Sequence, residues 1–384
     1  MKKVYLGPYN CISPIGNNLA DTWNALVRGK SGIKLTDYAE LHGDVYAAIV
    51  EEEQLDQHLN KLLQDTQLPF DAAFSKLEKL MIAALVPLVK AVVITQETEL
   101  IVSTTKGNIA QCAGGANDIV AASLPVLAQK IADFFGFKRP PIIISNACVS
   151  GLQAISTAKR LIQMDYCKDA IIVAGDLVSE FVVSGFKSFQ ALSNTVCRPY
   201  DEFRQGLNLG EAAAAIHVTG QKLTDQEFFI AGEASINDAN HISGPSRTGE
   251  GLRLSIASAL AEAKLEPKSV DFICAHGTAT IYNDEMEAVA IHHSGLATKP
   301  INSLKGYFGH TLGTAGLIES IISLECLRNN LLLPSLGYQR QGTSLPLAVV
   351  TELLEQPQPL ICCLKTASGF AGTNTAILFE RELR

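Results

Sequence analysis

One cysteine and two histidines stand in settings where their chemistry would be usable. Cys148 lies in Pro140-Pro141-Ile142-Ile143-Ile144-Ser145-Asn146-Ala147-Cys148-Val149-Ser150-Gly151-Leu152. The apolar run Ile142 to Ile144 suits a strand buried on both faces, and Leu152, Ile155, Ala158, Leu161 and Ile162 recur with helical period. The small residues between them make a tight turn that delivers Cys148 to a helix N-terminus. Unpaired backbone N–H groups and the helix dipole favour an anion there, so the thiol pKa is expected to fall and the thiolate to attack. The same position would also suit an inert buried cysteine, because free Cys is among the most buried residue types.

Three loops further on carry polar residues that packing does not demand. Cys274-Ala275-His276-Gly277-Thr278-Ala279-Thr280 ends a strand pattern with a histidine among small and hydroxyl residues. In Lys305-Gly306-Tyr307-Phe308-Gly309-His310 a lysine precedes a second histidine by five residues, in a glycine-rich turn that opens an apolar helix. Gly369-Phe370-Ala371-Gly372-Thr373-Asn374 is a glycine turn feeding a last strand. Taken singly, a histidine among small residues is more often structural, and a glycine-rich loop before a helix also suits a phosphate. Taken in order, a nucleophile and two neutral imidazoles are what attack on a thioester followed by carbanion stabilisation requires.

The elements that must position these groups alternate along the chain. Strands are expected at residues 3–6, 100–104, 142–144, 170–174 and 210–218. Helices are expected at 19–27, 70–93 and 124–135, and after Cys148. The segment 34–68 is polar and weakly periodic and reads as loops and short elements. A second run follows, with strands at 228–235, 270–275, near 301, near 349, at 360–364 and at 373–379. Its helices fall at 251–263, 284–292 and 317–327. Two β/α runs of similar order predict an internal duplication, a half at 1–220 holding the cysteine and a half at 221–384 holding the histidine loops.

The 384 residues are 47% hydrophobic and 18% charged, the balance of a well-packed enzyme. A net charge of -8 and the lack of a Lys/Arg stripe argue against nucleic acid. The nine cysteines, Cys11, Cys112, Cys148, Cys167, Cys197, Cys274, Cys326, Cys362 and Cys363, show no metal spacing, and their odd count disfavours a disulfide framework. A reducing compartment is expected. The N-terminus has no secretory pattern and no apolar window spans a membrane, so a cytoplasmic protein is expected.

On these motifs the chain resembles the β-ketoacyl-acyl-carrier-protein synthases of the thiolase superfamily, most closely the elongating type with a Cys-His-His site. The resemblance also takes in Ile12-Ser13-Pro14-Ile15-Gly16-Asn17, Thr22-Trp23, Gly29-Lys30-Ser31-Gly32-Ile33, Arg198-Pro199-Tyr200-Asp201 and Gly210-Glu211, essentially the whole length. It implies an α/β, thiolase-like, five-layered α/β/α/β/α fold of two pseudo-duplicated halves. Cys148 would take an acyl chain from a carrier-protein thioester, with the oxyanion on the backbone N–H groups of Cys148 and Phe370. A malonyl thioester would then lose its carboxylate as carbon dioxide or bicarbonate, and His276 and His310 would hold the enolate that attacks the acyl-cysteine.

Further roles follow from the resemblance. Lys305 would organise His310, and Glu287 would be the acid paired in that network. Thr278 and Thr280 would bind the phosphopantetheine arm, and Phe370 would gate the nucleophile. Ala371 stands where the family has glycine. No metal or other cofactor is implied, because substrates arrive on the phosphopantetheine arm of acyl carrier protein, an acidic partner for which Arg204 and Lys61 are candidate contacts. A homodimer, or a heterodimer with a related ketosynthase subunit, is implied. The rival readings are a secondary-pathway condensing enzyme, a non-catalytic chain-length-factor-like partner, and a thiolase proper. A thiolase would carry a second cysteine near the last glycine loop, and residues 369–374 contain none.

Overall fold

The computed structural model describes residues 2–37, 43–64, 66, 68, 74–114, 116–222, 227–238, 240 and 244–383. In the first part of the chain, strands β1 (Tyr5–Ile12), β2 (Thr98–Ser103), β3 (Ile142–Ile144), β4 (Asp169–Asp176) and β5 (Ala212–Thr219) alternate with helices. These helices are α1 (Leu19–Val27), α2 (Glu52–Gln64), α3 (Lys76–Ala91), α4 (Leu124–Phe135), α5 (Ser150–Gln163) and α6 (Glu180–Ser188). The second part holds β6 (Phe228–Asn237), β7 (Phe272–Cys274), β8 (Ile301–Asn302), β9 (Cys362–Ser368) and β10 (Thr373–Arg381). Its helices are α7 (Glu250–Ala263), α8 (Ile281–His293) and α9 (Ala315–Asn329).

The first five strands run β3-β2-β4-β5-β1 across their sheet and the second five run β8-β7-β9-β10-β6, the same order by position in each half. Directions match too. β2 is parallel to β3 and β4, and β7 to β8 and β9, while the last two neighbours in each set are antiparallel. A short antiparallel contact between β1 and β6 joins the sets. The expected division at 220 falls between β5 and β6.

Alternation along the strands sorts side chains into layers, since successive residues point to opposite faces. Ile101, Ile172 and Ala174 face a core shared with α5 and α9, while Leu100, Val102, Ile171 and Val173 face α3 and α4. In the second half Phe272, Cys274 and Cys363 face α5 and α9, and Ile273, Cys362 and Leu364 face α7 and α8. The result is the α/β/α/β/α stack, with α5 and α9 in the middle. α9 is buried from Ala315 to Leu327, as befits a helix apolar on every side.

Three expectations change. The 34–68 segment contains α2, whose stripe Leu55, Leu59, Leu63 is buried against α3; a one-residue-wide stripe on a charged helix escaped the periodicity. The helix expected from 70 is observed as α3, capped by Ser75 and Glu78 in a reciprocal capping box, and residues 69–73 lie outside the described ones. The strand expected near 349 is a single bridge between Ile301 and Val349.

Candidate active site

Cys148 sits where β3 turns into α5. Ala147 before it has φ 44°, in the left-handed region that costs an L-residue about 1 kcal/mol or more. Ser150 secures the turn: its Oγ accepts from the Asn146 N–H at 2.8 Å and donates to the Ala147 carbonyl at 2.6 Å. The two middle-layer helices start against each other through glycine. A Cβ on Gly151 would lie 2.6 Å from the Gly313 carbonyl oxygen, and one on Gly316 2.6 Å from Leu152 N. That close approach sets the loop of His310 beside the turn of Cys148.

His276 follows β7 in a loop tied down by two carboxylates of α8. Glu287 accepts from the backbone N–H of His276 at 2.8 Å and of Gly277 at 2.6 Å, and from the Tyr200 hydroxyl at 3.1 Å. Asp284 accepts from the N–H groups of Thr278, Ala279 and Tyr200. His310 is gripped by the first half: its N–H donates to the Asn208 carbonyl at 2.7 Å and its carbonyl accepts from Gly210 at 3.0 Å. Gly210 is required there, because a Cβ would meet the Phe308 carbonyl oxygen at 1.8 Å.

These loops converge. His310 Nε2 lies 3.0 Å from Cys148 Sγ, and the His276 and His310 rings stand edge to face with centroids 5.2 Å apart. Ligating atoms of all three residues fall within 4.8 Å of one another, and each residue is buried. Lys305 Nζ donates to the His276 carbonyl at 2.5 Å and lies 3.4 Å from His276 Nδ1. An ammonium has only protons to offer, so Nδ1 of His276 accepts and its Nε2 carries the hydrogen. His310 Nδ1 has no partner among the described residues, so nothing fixes its tautomer.

Lys305 therefore steadies His276 rather than the expected His310. Its acid is Glu319 on α9, at 2.8 Å, and not Glu287, which holds backbone and does not touch the cavity. The other oxygen of Glu319 meets Lys365 Nζ at 2.8 Å. Sequence reasoning passed over both residues, although an acid near the start of an apolar helix and a single lysine in an apolar strand were visible signals. Arg204, a candidate carrier contact, is also corrected. It is buried, donating to the carbonyls of Asp201 and Gly342. Lys61 is exposed on α2 and lies outside the cavity lining.

Burial pushes the Cys148 thiol up to about 12, partly opposed by Lys305, where the sequence led to the expectation of a fall. Burial, with the charges of Lys305 and Lys365, holds both imidazoles well below their usual range. The resting pair is thus a thiol beside a neutral base. Asp176, which accepts from Thr104, Thr105 and the Gly313 N–H behind the nucleophile, is pushed by burial up to about 6.

A cavity of about 410 Å³ leads to the three residues. Thr278 and Thr280 line it with their hydroxyls 2.8 Å apart, and Ile281 and Tyr282 stand exposed at its rim. Phe370 packs against Phe186 and Phe189, with centroids 5.6 and 5.3 Å away. Ala371 has φ 67°, a conformation for which glycine is the unstrained residue. Backbone at Gly369 abuts the nucleophile, since a Cβ there would lie 3.5 Å from Cys148 N.

The family profiles for the beta-ketoacyl synthase N-terminal and C-terminal domains match residues 88–222 and 228–339. The chain is 27% identical to 3-oxoacyl-[acyl-carrier-protein] synthase 2 of Coxiella burnetii, covering 99% of both chains. It is 25% identical to the Staphylococcus aureus (strain COL) enzyme of that name, over 99% of this chain and 98% of the other. Among solved structures, a ketosynthase in complex with its chain length factor from Xenorhabdus doucetiae matches with a TM-score of 0.84 and 25% identity, covering 99% of this chain and 98% of that one. Fold, converging residues and matched profiles agree: the chain belongs to the beta-ketoacyl synthase family of condensing enzymes, with its thiolase-like fold.

Proposed function

We propose that the chain condenses an acyl group held on Cys148 with malonyl-acyl carrier protein, giving 3-ketoacyl-acyl carrier protein in fatty acid or related polyene or polyketide synthesis. The observation that carries this reading is the 3.0 Å approach of His310 Nε2 to Cys148 Sγ with the His276 ring alongside. In the first step Sγ attacks the acyl thioester as its proton passes to His310 Nε2 and on to the departing carrier thiol. The tetrahedral oxyanion lies against the N–H groups of Cys148 and Phe370.

The malonyl thioester then enters along Thr278 and Thr280 and loses its carboxylate as carbon dioxide or bicarbonate. The enolate oxygen takes the Nε2–H groups of His276 and His310, the second ring having switched tautomer. The enolate carbon attacks the acyl-cysteine, a carbon–carbon bond forms, and Sγ leaves and takes up one proton that solvent replaces. Substrates ride on the carrier's phosphopantetheine arm, and no separate cofactor is needed. A cytoplasmic setting and a dimer, with itself or with a related ketosynthase subunit, complete the proposal. Among the described residues no helix is long and apolar enough to cross a membrane.

A chain-length-factor-like partner without catalysis is the weaker reading, because such a role gives no reason to gather a thiol and two neutral imidazoles in one cavity. Incubation with a radiolabelled acyl-carrier thioester separates the two. Label is expected on the wild type and absent from Cys148→Ala; an unlabelled wild type ends the enzyme reading.

A further inference from the structure

Lys365 is wholly buried in β9, and no step of the condensation as described uses it. Its ammonium donates to the carbonyls of Cys274 at 3.2 Å, Ala275 at 3.4 Å and Thr366 at 2.6 Å, and lies 2.8 Å from Glu319 Oε2. Lys305 takes the other oxygen of the same carboxylate and the next carbonyl, that of His276. Three successive carbonyls at the end of β7 are thus tied to two ammonium groups that straddle one acid. One lysine would neutralise Glu319. Burying a second ammonium costs several kcal/mol, and here Glu319 and three backbone carbonyls offset it.

We propose that Lys365 is a positioning residue of the condensing site: it shares Glu319 with Lys305, locks the carbonyls leading into His276, and sets a second ammonium beneath the two imidazoles. Together with burial, the ammonium groups keep His276 and His310 neutral, so that one donates and the other accepts the thiol proton. The inference rests on the functional reading above. Facing Lys365 are Glu319 from α9, Lys305 from the turn after β8, Glu287 from α8 and Cys274 from β7. Facing the imidazoles are the two lysines and, for His276, the ring of His310. Around Cys148 are Lys305, Asp176, Lys106 and Glu319.

The test is the pH profile of Cys148 acylation from about pH 5 to pH 8, followed by intact mass in wild type, Lys365→Met and Lys365→Arg. Removing the charge lets the imidazoles protonate sooner, and a protonated His310 cannot accept the thiol proton. The acid limb of Lys365→Met is therefore expected to move up by about one pH unit, while Lys365→Arg keeps the wild-type limb. A folded Lys365→Met with the wild-type limb overturns the inference and leaves the functional reading standing. A wild type that never acylates overturns the reading, and the inference with it. If Lys365→Met does not fold, Lys365→Gln, which keeps donors for the carbonyls and lacks the charge, takes its place. An acid limb moved up supports the inference, and the wild-type limb overturns it.

Discussion

Two histidines in one cavity, 5.2 Å apart, are made unequal by what stands behind them. His276 is backed by Lys305 and can only donate into the cavity, whereas His310, with no partner at Nδ1 among the described residues, can accept and then donate. Their substitutions should therefore separate. His276→Ala should slow condensation by about 10²–10³-fold and leave acylation of Cys148 near the wild-type rate, because the lost group is an enolate donor. His310→Ala should slow both half-reactions, since it also removes the base 3.0 Å from the thiol. Single-turnover acylation and steady-state product formation measured side by side check this; equal effects on both half-reactions for both variants would contradict the assignment. The motifs around Cys148, His276 and His310 were legible in the sequence because each breaks an apolar pattern with small residues. The dependence of His276 on Glu319 and Lys365 was not, since those residues lie 43 and 89 positions away and meet it only after the sheet and middle helix pack.

At the level of elements, geometry at the site is fixed by backbone contact between α5 and α9. Gly316→Ala would drive a Cβ to 2.6 Å from Leu152 N, and backbone cannot step aside as a side chain can. A loss of about 3 kcal/mol in urea unfolding is expected, with slower acylation as the His310 loop moves from Cys148. Gly185→Ala in α6, where nothing among the described residues lies within 4 Å, is the control and should be neutral or stabilising by about 0.5–1 kcal/mol. A Gly316→Ala protein as stable and active as wild type would sink this account. Strands and helices with strong periods were readable in advance, as with β4, α7 and α9. The α2 helix was not, because its buried face is one leucine wide and its hold comes from α3. Strand order was equally out of reach, since long-range pairing leaves no local trace.

Over the whole molecule, two five-stranded halves of matching order divide the chemistry unequally. The first supplies Cys148 and the grip on His310 through Asn208 and Gly210, and the second supplies both imidazoles and the buried Lys305–Glu319–Lys365 group. We place the boundary between the halves at 220/221, as read from the alternation of elements. The duplication was foreseeable from that alternation, and so was the family. The raised thiol of Cys148 was not, because its burial is produced by elements that lie far from it in the sequence. The most direct measurement follows acyl-Cys148 itself. The wild type is loaded with an acyl thioester, its mass is recorded, and malonyl-acyl carrier protein is added. The adduct on Cys148 should disappear as 3-ketoacyl-acyl carrier protein and one carbon dioxide or bicarbonate form in equal amount. An adduct that forms on another residue, or one on Cys148 that persists with malonyl carrier present, would contradict the account.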